Sequence, residues 1–181
     1  MTQDVERDID PAPLAARLAR GSQPFVLLID GRSGAGKTVL ARELAARTGA
    51  SLVSLDEVYP GWDGLAAGSA AVEEIIRDGT WRRWDWGADA PAEPVRIDRT
   101  GALIVEGCGA ISRASRALAH HAWWIDRDPD VRRERALRRD GDTFAPHWDR
   151  WARQEEAHIV REDPESLADL IIRDGVPSSP L

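Results

Sequence analysis

A chain of 181 residues is long enough for one domain with its own core, and 31 acidic against 24 basic side chains leave it at −7, without the overall basic footprint of a nucleic-acid binder. One cysteine, Cys108, rules out an intrachain disulfide framework and fits a reducing compartment. No apolar run approaches the roughly 20 residues of a membrane span, and the polar stretch Met1 to Asp10 does not read as a secretory signal, so the expectation is a single cytoplasmic domain over 1–181 with neither nucleic-acid nor membrane partners.

Asp10 to Arg20 predicts a short helix, with Asp10 as N-cap, Pro11 in the first turn, Leu14 and Leu18 four apart, and Gly21 as the stop. Phe25 to Ile29 is an unbroken apolar run of strand length, the pattern of a parallel strand buried on both faces. It feeds Gly31-Arg32-Ser33-Gly34-Ala35-Gly36-Lys37-Thr38, the Gly-x-x-x-x-Gly-Lys-Thr spacing of a phosphate-binding P-loop. The glycines let the backbone curl until several N–H groups face phosphate oxygens. The following helix, Lys37 to Arg47, adds its N-terminal dipole. In such a loop the lysine reaches the β- and γ-phosphates and the threonine hydroxyl binds Mg²⁺. Lys37 is the only lysine of the chain and every other basic residue is arginine; a compact charge on a flexible stem survives where a planar fork does not fit. The nucleotide-binding set is Gly31, Ser33, Gly34, Ala35, Gly36, Lys37, Thr38 and Val39.

Ser51 to Leu55 predicts a second strand, ending in the loop Asp56 to Gly64 with its acids and aromatics. Ala70 to Asp78 reads as a helix closed by Gly79. Trp81 to Trp86, a turn rich in Pro, Gly and Ala, and Val95-Arg96-Ile97 read as a hairpin from Trp81 to Asp98. Ala102 to Val105 is a third buried strand ending at Glu106-Gly107, Ile111 to His120 a helix, and Ala122 to Ile125 a fourth strand. Pro129 to Asp140 is a basic helix carrying Arg132, Arg133, Arg135, Arg138 and Arg139. A loop, Gly141 to Pro146, leads to a helix from Trp148 to Arg161 with Trp148, Trp151, Glu155 and His158 near one side. Asp169 to Ile172 is the fifth strand and Pro177 to Leu181 a frayed tail. Strands alternating with helices predict a three-layer α/β fold of P-loop NTPase type, a five-stranded parallel sheet with helices on both faces. Ligands of such sheets sit beyond the carboxyl ends of the strands, which brings the P-loop, Asp56 and Glu106 to one edge.

At that edge Asp56 can orient an acceptor hydroxyl and take its proton, or hold Mg²⁺ through water. Glu106 can hold the metal's water shell, so Thr38, Asp56 and Glu106 form the metal set. Arg135 and Arg139 lie four apart on one helix face, in a lid from Arg132 to His147, where they neutralise charge on a phosphate in transfer and exclude water. Trp62 and Trp84, with Trp81 and Trp86, fall in the two regions flanking an acceptor, and aromatic faces stack on planar ligands. Trp123 and Trp124 read as core, Trp148 and Trp151 as packing for the lid, and Cys108 as a small buried apolar residue.

These residues resemble the uridine kinase-like family of P-loop nucleoside kinases. The likeness is carried by the P-loop, by Asp56-x-x-Tyr59 after the second strand, by Leu103-Ile104-Val105-Glu106-Gly107, and by Asp130-Val131-Arg132 with Arg135, Arg139 and Asp140. Trp84-Asp85 occupies the place of an aromatic-Asp pair in the family's substrate hairpin. The resemblance implies Lys37, Asp56, Arg135 and Arg139 as catalytic residues, with Asp56 the base. It implies Asp56, Tyr59, Trp62, Trp84 and Arg132 toward the acceptor, Glu106 at the metal, and ATP and Mg²⁺ as donor and cofactor. Four features depart from the family: Glu57 stands in place of a small or acidic residue, the hairpin carries no histidine after Trp84-Asp85, the chain is somewhat short, and Phe144-Ala145-Pro146-His147-Trp148 follows the lid in place of a second arginine cluster. The expected function is a kinase moving the γ-phosphate to a hydroxyl of a small molecule, a nucleoside or another metabolite or antibiotic. A P-loop ATPase or a nucleotide-binding module without kinase activity is the alternative. A GTPase is excluded, because an Asn-Lys-x-Asp motif needs a second lysine.

Overall fold

The computed structural model describes residues 10–21 and 24–178. Residues 1–9 and 179–181, which hold most of the polar opening stretch and of the expected tail, lie outside them. In chain order the elements are α1 (Pro11–Ala19), β1 (Val26–Asp30), α2 (Lys37–Thr48), β2 (Ser51–Ser54), α3 (Leu65–Asp78), β3 (Thr80–Asp85), β4 (Ala90–Arg96) and β5 (Leu103–Glu106). They continue with α4 (Arg113–Arg116), β6 (His121–Asp126), α5 (Pro129–Phe144), α6 (Trp148–Glu162), α7 (Pro164–Leu167), β7 (Leu170–Arg173) and β8 (Val176–Ser178). Short 3₁₀ turns at Leu55–Glu57 and Ala145–His147 follow β2 and α5.

The central sheet runs β2-β5-β1-β6-β7-β8. The first five strands are parallel and joined by crossovers; β1, β5, β6 and β7 are buried on both faces, and β2 at the edge is partly buried. Alternate side chains point to opposite faces of each strand. Leu27, Ile29, Ile104, Trp123 and Ile125 therefore pack with Leu14 and Leu18 of α1 and with Leu40 and Leu44 of α2. Leu28, Val105, Ala122, Trp124 and Ile171 pack on the other side, with Val72 and Ile75 of α3, Ala136 of α5 and Trp151 of α6. The three layers follow from this division of the core. Trp123 and Trp124, adjacent in sequence, are both buried and serve different faces.

The sheet has six strands where five were expected. The sixth, β8, pairs antiparallel with β7, and Val176 and Pro177 lie opposite Arg173 and Ile172. Its cause is the dipeptide Asp174-Gly175, which takes φ values of 47° and 79°, the doubly left-handed geometry of a tight two-residue hairpin turn. The segment read as a frayed tail from Pro177 thus begins as an edge strand. Three helices also differ from expectation. α3 starts at Leu65, and α4 is a single capped turn held by Ser112 and Ser115. α5 runs through the expected loop to Phe144, with one kink at Gly141 (φ 52°, ψ −133°). β3 and β4 form a separate antiparallel pair with a bulge between Arg82 and Trp84. Among the described residues no helix is long and apolar enough to cross a membrane.

Candidate active site

The turn between β1 and α2 needs its glycines. Gly31 and Gly34 have φ of 143° and 80°, and a Cβ on them would collide with the carbonyl oxygens of Ile125 and Arg132. Gly36 caps α2 from the left-handed region (φ 103°) without any side-chain hydrogen bond to the helix end. The first N–H groups of α2 are thus left to an anion.

Lys37 is buried. Its Nζ donates to the carbonyls of Gly31 (2.7 Å) and Arg32 (3.1 Å) and approaches Cys108 Sγ at 3.4 Å. Burial alone would push its pKa down, but the carboxylates of Glu106, Glu155 and Asp30 oppose it, and the ammonium is held above its ordinary value. Burial pushes the Cys108 thiol up to about 12, so it is neutral at physiological pH. It packs as the small buried residue the sequence suggested, yet directly against the P-loop lysine.

The ends of β2 and β5 bring the acids to the same edge. Glu106, the last residue of β5, accepts from Ser54 Oγ at 2.6 Å and from Thr38 Oγ1 at 3.2 Å. Burial, and next the nearby Asp56 carboxylate, raise its pKa. Asp56 lies on the 3₁₀ turn after β2. Trp86 Nε1 donates to the Asp56 carbonyl at 2.7 Å and ties the hairpin to that turn. Among the described residues no three His, Cys, Asp or Glu side chains converge as a metal cage. Thr38 and Glu106, with Asp56 beside them, are a set of hard oxygen donors suited to a Mg²⁺ that keeps water and phosphate ligands.

A cleft of about 690 Å³ opens on these groups. Ser33, Thr38 and Val39 line it at the P-loop end, and Arg139 and Asp140 line it from α5. Its other end is aromatic: Tyr59, Trp62, Trp86, Phe144 and Trp151. The Tyr59 hydroxyl is committed to the Cys108 carbonyl at 2.8 Å, so this residue offers the cleft its ring, packed edge-on against Trp151 at 4.8 Å. Trp62 stacks on His147 (4.3 Å) and Phe144 (5.5 Å). Arg135 reaches over the loop, its Nη1 3.6 Å from where a Cβ on Gly36 would stand. Arg139 grips Asp140 through Nε (2.8 Å) and Nη2 (2.6 Å).

Four residues of the regions expected to flank the acceptor lie elsewhere. Arg132 is buried and donates to the carbonyls of Arg127 (3.1 Å) and Ser33 (3.2 Å), so it braces the P-loop from below. Trp84 does not line the cleft; it sits near Gly61, while Trp86, beyond the end of β3, takes the cleft wall. Trp81 is in the core. Asp85 spends its carboxylate on the hairpin turn, accepting from the N–H groups of Gly87 and Ala88 at 2.9 and 3.0 Å.

Sequence reading missed a second support of the loop. Glu155 of α6, almost fully buried, accepts from the Ser33 N–H at 2.8 Å and from Cys108 at 3.3 Å, and Glu156 pairs with Arg32. Behind them Asp30 accepts from the N–H groups of Gly31 (2.6 Å), Gly109 (3.0 Å) and Ile111 (2.8 Å). His158 lies 4.0 Å from Asp30 and 3.0 Å from the Ile111 carbonyl. The buried spacing Trp151, Glu155, His158 on α6 was the available signal: polar residues on an apolar helix face.

No family model and no curated protein matches the chain in sequence. The structure does have neighbours. A possible uridine kinase from Bacillus stearothermophilus superposes with a TM-score of 0.64 at 16% identity, over 89% of this chain and 96% of that one. A candidate fructose transport system kinase from Silicibacter sp. TM1040 gives 0.54 at 16% identity, over 88% and 92%. At this identity the likeness speaks for architecture, and the chain has the fold of uridine kinase-like P-loop proteins.

Proposed function

We propose that this protein is an ATP- and Mg²⁺-dependent phosphotransferase that moves the γ-phosphate to a hydroxyl of a small molecule. One observation carries the reading: the P-loop, the Thr38–Glu106–Ser54 hydrogen bonds and Asp56 border a single cleft with room beyond the phosphate end for an acceptor. A module that only bound nucleotide would need neither a second compartment nor a carboxylate at its border. The kinase names of the two structural neighbours agree with it.

In this reading the N–H groups from Gly34 to Thr38, the open end of α2 and Lys37 bind the β- and γ-phosphates. Thr38 and Glu106, with Asp56 through water, would hold Mg²⁺, which when bound would neutralise charge on the phosphate oxygens. Asp56 orients the acceptor hydroxyl and takes its proton. The hydroxyl oxygen forms a bond to the γ-phosphorus as the bond to the β–γ bridging oxygen breaks, and ADP leaves. Arg135 and Arg139 face the charge that moves between them, and α5 shields it from water. A chain working on a small metabolite in this way belongs in the cytoplasm, as its composition suggested.

The test is ADP release from Mg-ATP across a panel of hydroxyl compounds, with the product weighed. A product one phosphate heavier supports the assignment; stimulated ATP loss without such a product removes it. Asp56→Asn is expected to retain ATP binding by calorimetry and to lose about 10²–10⁴-fold in turnover, the usual worth of a general base. Unchanged turnover would take Asp56 out of that role.

A further inference from the structure

We propose that Glu155 is a positioning residue for the phosphate end of the cleft: through the Arg32–Ser33 peptide and the Cys108 thiol it sets where the Lys37 ammonium waits for phosphate. The proposal deepens the phosphotransferase reading and rests on it only for the phosphate that Lys37 is to meet.

Lys37 Nζ is held by the carbonyls of Gly31 and Arg32 and by the Cys108 sulfur, at 2.7, 3.1 and 3.4 Å. One oxygen of Glu155 orients two of these groups. The first is the Arg32 carbonyl. It shares a peptide plane with the Ser33 N–H, and in a trans peptide the two point in opposite directions. Glu155 Oε1 accepts from that N–H at 2.8 Å. The carbonyl is thereby turned inward, toward Lys37 Nζ and toward the Ala35 N–H at 3.2 Å. The second group is Cys108. Its thiol donates to the same Oε1 at 3.3 Å, which leaves a lone pair of the sulfur for the ammonium. Without an acceptor at position 155 the Ser33 N–H would face a side chain that cannot pair with it. A peptide flip that relieved this would carry the Arg32 carbonyl away from Lys37.

Glu155 is itself placed by its helix. It is 4% exposed and lines a small recess behind the loop, with Asp30, Trp124 and His158. One turn earlier Trp151 is buried against the Tyr59 ring at 4.8 Å, and one turn later His158 Nε2 donates to the Ile111 carbonyl at 3.0 Å. Beside it Glu156 pairs with Arg32. The register of α6 is pinned on both sides of Glu155, as a precise support requires. Glu155 lies outside the lining of the cleft, so it acts through the loop and not on the nucleotide. The lysine stem has several rotatable bonds, and ordering them on a phosphate costs conformational entropy. An ammonium already held in the loop has given up that freedom before the phosphate arrives.

The test reads phosphate binding apart from turnover. ADP and inorganic tripolyphosphate are titrated by calorimetry into the full chain and into Glu155→Gln, Glu155→Met and Glu155→Asp, well below the melting temperature of each. Glutamine keeps a carbonyl oxygen at the same reach, methionine offers only a weak acceptor, and aspartate keeps the charge but draws it back by one methylene. Dissociation constants for both probes are expected to be about tenfold weaker in the Met and Asp variants and within about threefold of wild type in Glu155→Gln. Lys37 is the only lysine, so ¹³Cε-lysine labelling gives one NMR signal. Its relaxation should report an ordered side chain without nucleotide in the wild type and in Glu155→Gln, and a mobile one in the Asp and Met variants. Should Glu155→Met not fold, Glu155→Asp carries the same reading. Wild-type affinity and an ordered lysine in Glu155→Asp, even with a lowered melting temperature, would make Glu155 a structural brace only and overturn the proposal. Glu155→Gln weakened as far as the others would assign the effect to charge and overturn it as well. The expected pattern with no phosphate ester from any hydroxyl compound keeps the positioning role and removes the kinase reading. A wild type that binds neither probe removes both.

Discussion

Glu106 shows how a single side chain is strained by the work its position implies. It is 1% exposed, and its hydrogen bonds to Ser54 and Thr38 do not offset what burial and the neighbouring Asp56 do to its pKa, which is raised. The unfolded chain gives up this proton at the ordinary value and the folded chain only at higher pH. The contribution of Glu106 to stability is therefore full below the unfolded pKa and lost as pH rises through the folded one. Glu106→Gln removes that loss. Its melting temperature is expected to exceed the wild type's at pH 7, with the gap closing as pH falls toward about 4, while Mg²⁺-dependent turnover drops. A lower melting temperature at pH 7 would mean that the hydrogen bonds dominate. Lys37, Thr38 and Glu106 were legible because spacing and strand ends locate them. Cys108 and Glu155 were not, because their contact with the loop joins residues far apart in the chain, Ser33 and Glu155 being 122 positions from each other.

The P-loop is held from two sides, and both supports come from the segment after β6. On one side α5 sets the Arg132 carbonyl against Gly34 and sends the Arg132 side chain to the Ser33 carbonyl. On the other, α6 brings Glu155 to the Ser33 N–H. Gly141 joins these supports. Its φ of 52° and ψ of −133° turn α5 toward the 3₁₀ bend that starts α6, and no atom lies within 4 Å of where its Cβ would be. Gly141→Ala therefore meets a backbone cost alone, about 1–3 kcal/mol. For a domain of this size that corresponds to a fall of about 2–4 °C for each kcal/mol, read by thermal melts. An unchanged melting temperature would show that the kink is not needed. The sequence placed a loop here because glycine after an arginine-rich helix is an ordinary stop; the helix resumes because Phe144 is buried beside Trp62 and Trp148. The Asp174-Gly175 turn was readable by the rule for two-residue hairpins, and the weight given to the chain end hid it.

For the molecule as a whole, the phosphotransferase reading makes binding at the P-loop end of the cleft a source of stability. ATP with Mg²⁺ at about 100 times its dissociation constant should add about 2.7 kcal/mol, a rise in melting temperature of roughly 5–10 °C. Lys37→Ala should abolish the rise and chelation of Mg²⁺ should reduce it; a rise that survives Lys37→Ala would place the nucleotide elsewhere. Most of the order of strands and helices, the three layers and the P-loop end of the cleft could be read in the chain. Each rests on local rules: apolar runs of strand length, glycine spacing, and acids at the carboxyl ends of strands. Which tryptophan lines the cleft, which arginine braces the loop and which carboxylate touches it could not be read that way. Trp84 and Trp86, or Arg132 and Arg135, are chemically alike, and their roles depend on how a bulge, a kink and a helix register aim them across the fold.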